Sequence, residues 1–91
     1  MSGRVAATVT IRNKRGLHAR ASAKFVTLAA QFDAAVTVAR DGSNVAGTSI
    51  MGLMMLAAAP GDTIDIAATG AQSEEALAAL VKLVEDRFGE D

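Results

Sequence analysis

At 91 residues the chain has the length of a single domain, with room for one modest core and little for a deep substrate cleft. Hydrophobic residues make up 51% of it, but 20 are Ala and there is no Trp or Tyr, so Val, Leu, Ile and Met must build the core around small side chains. The net charge is −1; the lack of cysteine excludes disulfides, thiol catalysis and Cys-based metal sites, and the single histidine excludes a multi-His metal site within one chain.

From Arg4 to Arg12 the sequence alternates, with Val5, Ala7, Val9 and Ile11 on one side and Thr8 and Thr10 on the other, the pattern of a half-buried strand. Asn13-Lys14-Arg15-Gly16 reads as a turn, and a helix is expected from Ala19 to Gln31, with Phe25, Val26, Ala29 and Phe32 as its inward stripe. Val36 and Val38 belong to a second strand. Asp41-Gly42 is a hairpin turn, because this pair tolerates the positive φ angles required there, and a short return strand runs from Ser43 to Ala46.

Ser49 to Ala57 reads as a short helix capped by Thr48 or Ser49. Pro60-Gly61-Asp62 turns the chain into a fourth strand carrying Ile64 and Ile66. Ser73-Glu74-Glu75 starts the last helix, a capping hydroxyl followed by acids suited to the positive end of the helix dipole. Its expected buried stripe is Leu77, Leu80, Val81, Val84 and Phe88, and Gly89 ends it. The order β-α-β-β-α-β-α predicts an α+β domain, an open-faced two-layer β-sandwich with a four-stranded antiparallel sheet covered on one face by three helices. All 91 residues read as this one domain.

Two places break local rules. Residues 1–32 hold six basic side chains and no acid, and five of them, Arg12, Lys14, Arg15, Arg20 and Lys24, surround His18. None of Leu17, His18 and Ala19 is a strong N-cap, and Arg20 and Lys24 oppose the helix dipole. One account covers both misfits: the helix end is left uncapped and positive so that an anion can occupy it. A neutral imidazole there is a competent nucleophile near pH 7, and a phosphoryl group on it would be stabilised by Arg20 and the helix end. The second oddity is Ile50-Met51-Gly52-Leu53-Met54-Met55-Leu56. Helical spacing cannot bury Ile50, Met51, Met54 and Met55 together, so an exposed Met-rich surface suited to docking is expected.

Gly16-Leu17-His18-Ala19-Arg20 followed by Ala23-Lys24-Phe25-Val26 closely resembles the active-site signature of the HPr family, the histidine-containing phosphocarriers of the phosphoenolpyruvate-dependent phosphotransferase system. Ser49-Ile50-Met51-Gly52-Leu53-Met54 resembles the family's second signature, around its regulatory serine. The resemblance implies that His18 accepts a phosphoryl group on Nδ1 from enzyme I and passes it to enzyme IIA, assisted by Arg20. It implies that Ala19, Ala23, Ile50, Met51, Met54 and Met55 dock the partners and that Ser49 is the site of an HPr kinase/phosphorylase. Two positions depart from the family pattern: Ala21 stands where proline usually follows the arginine, and Thr48 where lysine often precedes the serine.

The first expectation is therefore a stoichiometric phosphoryl carrier, serving sugar uptake or its regulation, and not a turnover enzyme. The second is a regulatory binding module whose state at His18 and Ser49 controls partner proteins. A nucleic-acid-binding role is disfavoured, since there is no Tyr or Trp stacking platform and residues 33–91 hold three basic against ten acidic side chains. No cofactor or metal is implied in the chain. A cytoplasmic protein without membrane insertion is expected, because no apolar run reaches about 18 residues and no signal-peptide core follows Arg4. A carrier that exposes one face to successive partners is most simply a monomer.

Overall fold

Alternation along the strands decides which side of the sheet the helices cover. In a computed structural model that describes residues 3–90, four strands, β1 (Val5–Thr10), β2 (Ala35–Arg40), β3 (Ser43–Ala46) and β4 (Thr63–Thr69), form one sheet in the order β1-β4-β2-β3. Every pairing is antiparallel. The register sets Val9 opposite Ile64 and Ala7 opposite Ile66 on one flank of β4, and Val38 opposite Ile66 on the other. This puts Val9, Val36, Val38, Ile64 and Ile66 on a single buried face, while Thr8, Thr37 and Asp65 point to solvent.

Three helices, α1 (Ala19–Ala29), α2 (Ile50–Met55) and α3 (Ser73–Glu85), complete the predicted order. Phe25 and Ala29 of α1, Leu53 of α2, and Ala76, Leu80 and Val84 of α3 all enter the core cluster with the sheet. α1 packs against both other helices. No helix among the described residues is long and apolar enough to cross a membrane.

Several boundaries differ from the sequence expectation. β1 ends at Thr10, although Ile11 beyond it is buried and exchanges backbone hydrogen bonds with Asp62 and Gly61, at 2.8 and 2.9 Å. α1 stops at Ala29 instead of Gln31, because the chain tightens into three-residue bonds from Gln31 to Leu28 and from Phe32 to Ala29. Ser73 is not a cap but a buried first residue of α3, following Gln72, whose own side chain accepts from the Asp33 N–H at 2.7 Å. Phe88 is buried as expected but does not ride on α3. It sits in a separate left-handed turn, Arg87–Gly89, where φ is 58, 55 and 73° in succession. Leu77 and Val81 are only partly buried, and Ala76 occupies the deeper place between α3 and the sheet.

The loop from Ala57 to Asp62 ties the sheet to the segment before α1. Leu17 N–H donates to the Ala58 carbonyl at 3.0 Å, and Gly16, at φ +64°, lies so close that a Cβ would stand 2.2 Å from the same oxygen. Arg40 fixes the loop from the other side, donating to the Leu56 carbonyl at 2.9 Å and to Asp62 Oδ2 at 3.0 Å. Gly42, at φ +83° in the β2–β3 hairpin, has open space where its Cβ would be. Gly42→Ala is expected to cost only the backbone penalty, about 1 kcal/mol, whereas Gly16→Ala adds a collision with backbone and should cost about 3 kcal/mol. Chemical denaturation of the two variants checks the difference, and equal losses would contradict the close approach at Gly16.

Candidate functional site

The turn Asn13–Gly16 and the first residues of α1 set one imidazole at the domain surface. His18 has extended backbone angles, φ −72° and ψ 177°, and its carbonyl accepts the first helical hydrogen bond from Ser22 N–H at 2.9 Å. The helix end is not left uncapped, as the sequence suggested. His18 Nδ1 accepts from the Arg20 N–H at 3.3 Å, so the histidine itself serves as N-cap. The position looked poor because imidazole is seldom the capping group.

The other ring nitrogen faces a carboxylate. His18 Nε2 lies 2.7 Å from Glu90 Oε2, and both side chains are largely buried, with 17% and 18% of their surface exposed. Glu90 Oε1 accepts from Asn13 Nδ2 at 3.1 Å, and the same Nδ2 donates to the Gly16 carbonyl at 2.8 Å. Partial burial acts to raise the Glu90 pKa. Hydrogen bonds from Asn13 and His18, the charge His18 carries when protonated, and Lys24 outweigh it and hold the carboxyl below its ordinary value.

These partners determine the tautomer. An ionised carboxylate can only accept, so Nε2 must carry hydrogen; a backbone N–H can only donate, so Nδ1 must offer its lone pair. One neutral form satisfies both. The ring nitrogen that keeps a lone pair is then Nδ1, directed at the positive end of α1.

Lys14, Arg15 and Arg20 line a shallow pocket with His18 and Glu90, three cations beside one imidazole and one carboxylate. Two of the basic residues singled out in the sequence do not join it. Lys24 instead donates to the Phe88 carbonyl at 2.6 Å, fastening the left-handed turn, and Arg12 is exposed elsewhere. No group of three or more acidic or histidine side chains suited to a metal ion occurs among the described residues.

The second expected surface has the exposure that helical spacing demanded. On α2, Leu53 and the following Leu56 are buried, while Ile50, Met51, Met54 and Met55 are 40%, 69%, 39% and 78% exposed. Ser49 is the N-cap, its Oγ accepting from the Gly52 N–H at 2.9 Å. Ala19 is exposed at the start of α1, and Ala23 is half-buried beside Arg20 in a groove facing α3 through Leu83.

Glu90 and Asn13 were not picked out from sequence. Asn13 shows only as a turn residue, and Glu90 lies 72 positions from His18 with no periodicity to mark it. The one available signal is Phe88, an apolar anchor two positions before that acid. Because the folded carboxyl has a lowered pKa, its stabilising contribution is complete above the ordinary value of 4.5 and disappears as pH falls through the lower, folded value. Wild type should exceed Glu90→Gln by about 1 kcal/mol at pH 6, and their unfolding temperatures should converge in acid. A constant gap down to about pH 2 would contradict this.

Comparison with known proteins agrees with this architecture. A family model described as the PTS HPr component phosphorylation site matches residues 5–86. Phosphocarrier protein HPr of Neisseria meningitidis is 52% identical over 83 residues, covering 91% of this chain and 93% of that protein. Phosphocarrier protein NPr of Escherichia coli is 45% identical over 85 residues, covering 92% and 94%. Among solved structures, HPr-C-His from Thermoanaerobacter tengcongensis superposes with a TM-score of 0.91 at 42% identity, covering 96% of this chain and 98% of that one. A match over this much of its length, on the same antiparallel sheet and helices, makes the chain a member of the HPr family of phosphocarrier proteins.

Proposed function

We propose that this phosphocarrier accepts a phosphoryl group on Nδ1 of His18 from phosphorylated enzyme I and passes it to an enzyme IIA domain, acting as a stoichiometric carrier. The observation that carries the reading is the ring geometry. His18 is the only histidine, its Nδ1 lone pair faces the start of α1, and three cations line the pocket around it. Attack by Nδ1 on the donor's phosphorus forms one N–P bond as the donor's own bond breaks, with negative charge spread over the three equatorial oxygens. Arg20, with Lys14 and Arg15 on the pocket's lip, stabilises that charge.

Docking falls to the face formed by Ile50, Met51, Met54 and Met55 with Ala19 and Ala23. An exposed apolar patch beside a cationic pocket suits successive partners that each present an apolar patch and an acidic or phosphorylated group. Transfer serves sugar uptake or its regulation in the cytoplasm, with the carrier acting as a monomer so that one face meets each partner in turn. Ser49 is read as the site of an HPr kinase/phosphorylase. Its hydroxyl already accepts from Gly52 N–H, so a phosphate there would sit at the start of α2 and bring about two negative charges into the docking face.

With labelled phosphoenolpyruvate and enzyme I, wild type should take up acid-labile, alkali-stable label. His18→Ala should take up none, and Arg20→Ala should be slower by about 100-fold. Undiminished labelling of His18→Ala would overturn the assignment. A second set of variants separates docking from chemistry. Met51→Lys and Met55→Lys should leave stability within about 0.5 kcal/mol of wild type, since both side chains are exposed. They should raise the KM of enzyme I for the carrier at least as strongly as they lower kcat, and Ser49→Asp should behave alike; wild-type kinetics in all three would rule out this docking face.

A further inference from the structure

The turn after α3 is an uncomfortable piece of backbone with a single chemical product. Arg87 and Phe88 both have positive φ, a region that bulky side chains rarely enter, and Gly89 follows at +73°. Outside contacts hold the turn in place: Phe88 is buried in the core, and its carbonyl accepts from Lys24 Nζ at 2.6 Å. The next residue is Glu90, whose carboxylate is aimed by Asn13 and meets Nε2 of His18 at 2.7 Å. The turn adds no cation to the pocket and no apolar residue to the α2 face. What it supplies is one carboxylate on the ring nitrogen opposite the nucleophile.

We propose that Glu90 is a positioning residue that keeps the Nε2 proton on the ring after Nδ1 has been phosphorylated, and so keeps the phosphorylated protein ready to give its group away. The proposal rests on the reading of His18 as the phosphoryl acceptor. When the Nδ1 lone pair forms the N–P bond, the electron pair of the broken bond returns to the donor and the Nε2 proton stays where it is. The ring then carries a formal positive charge shared by both nitrogens, with the Glu90 carboxylate beside it. In onward transfer the N–P electrons return to Nδ1 and neutral imidazole is released. Had Nε2 lost its proton first, the group released would be imidazolate, a far poorer leaving group.

The charges around the ring make Glu90 decisive. Arg20 at the start of α1, and Lys14 and Arg15 on the preceding turn, all favour loss of the proton. Lys24 keeps its positive charge while it donates to the Phe88 carbonyl and acts in the same direction, and Asp62 is paired with Arg40. Glu90 is the only carboxylate lining the pocket among the described residues, and the incoming phosphoryl group adds to its effect.

The test uses the 91-residue chain phosphorylated by phosphoenolpyruvate and enzyme I, as wild type, Glu90→Gln and Glu90→Ala. Nitrogen NMR of the ring follows the Nε2 proton with pH, and label release is timed across the same range. In both variants the midpoint for losing that proton should fall by about one pH unit. Between the two midpoints, label release and transfer to enzyme IIA should slow by up to about tenfold. In the unphosphorylated state Gln, which can still accept a hydrogen bond, should keep the Nε2–H tautomer, whereas Ala should let the two tautomers mix; a purely structural role would not produce this split. Labelled wild type with unshifted midpoints in both variants would overturn this proposal alone. A wild type that takes no label would overturn the carrier reading and this proposal with it.

Discussion

The His18 imidazole is gripped at both nitrogens, by the Arg20 N–H on Nδ1 and the Glu90 carboxylate on Nε2, and the surrounding structure is largely the apparatus for that grip. A ring on an exposed loop would turn freely and exchange its proton between two sites. Here the backbone carrying it is pinned one residue earlier, where buried Leu17 donates to Ala58, and held again where Asn13 closes its turn on the Gly16 carbonyl. The Ala58 loop is in turn locked to β2 by Arg40 and Asp62. Sheet register thus reaches the ring through a short chain of hydrogen bonds. Most of these bonds involve backbone atoms.

The cost of the arrangement falls at its far side. Bringing Glu90 to Nε2 requires three consecutive left-handed residues, two of them with a Cβ, at about 1–2 kcal/mol for each non-glycine residue. Burial of Phe88 returns a comparable amount, about 1.5–3 kcal/mol for a side chain of that kind. Strain next to a reactive group, offset by an anchor in the core, is the usual pattern where geometry serves chemistry. α2 shows the complementary case: Leu53 and Leu56 hold the helix down, leaving Ile50, Met51, Met54 and Met55 exposed.

Much of this was legible in the sequence because it follows from local rules. Strand alternation, the Asp41-Gly42 hairpin and the Ser49 cap each need only a few neighbouring residues, and the structure shows all three. The exposure of Met51 and Met55 followed from counting more large apolar residues than one short helix can bury. The misfit at the start of α1 drew the eye to His18 and Arg20, but the end is not uncapped, since the histidine supplies the cap that the composition lacks. What stayed hidden was long-range and without period. Nothing in residues 87–90 announces a left-handed turn, because neither Arg nor Phe favours positive φ, and only the fold brings Glu90 to a ring 72 positions earlier. The partner of Lys24, which reads in the sequence only as a cation opposing the helix dipole, is hidden for the same reason, being a carbonyl distant in sequence. Ser73 satisfied the composition of a cap but lies one residue too late for the role.

In the proposed carrier role the fold leaves Nδ1, and not Nε2, as the nucleophile of His18. The most direct measurement is phosphorus–nitrogen correlation NMR on the phosphorylated protein labelled with nitrogen-15 in its single histidine. Phosphorus bonded to Nδ1 with hydrogen retained on Nε2 is the expected result. Phosphorus bonded to Nε2 would mean that the ring leaves the Glu90 carboxylate before it reacts, and would contradict Nδ1 as the nucleophile.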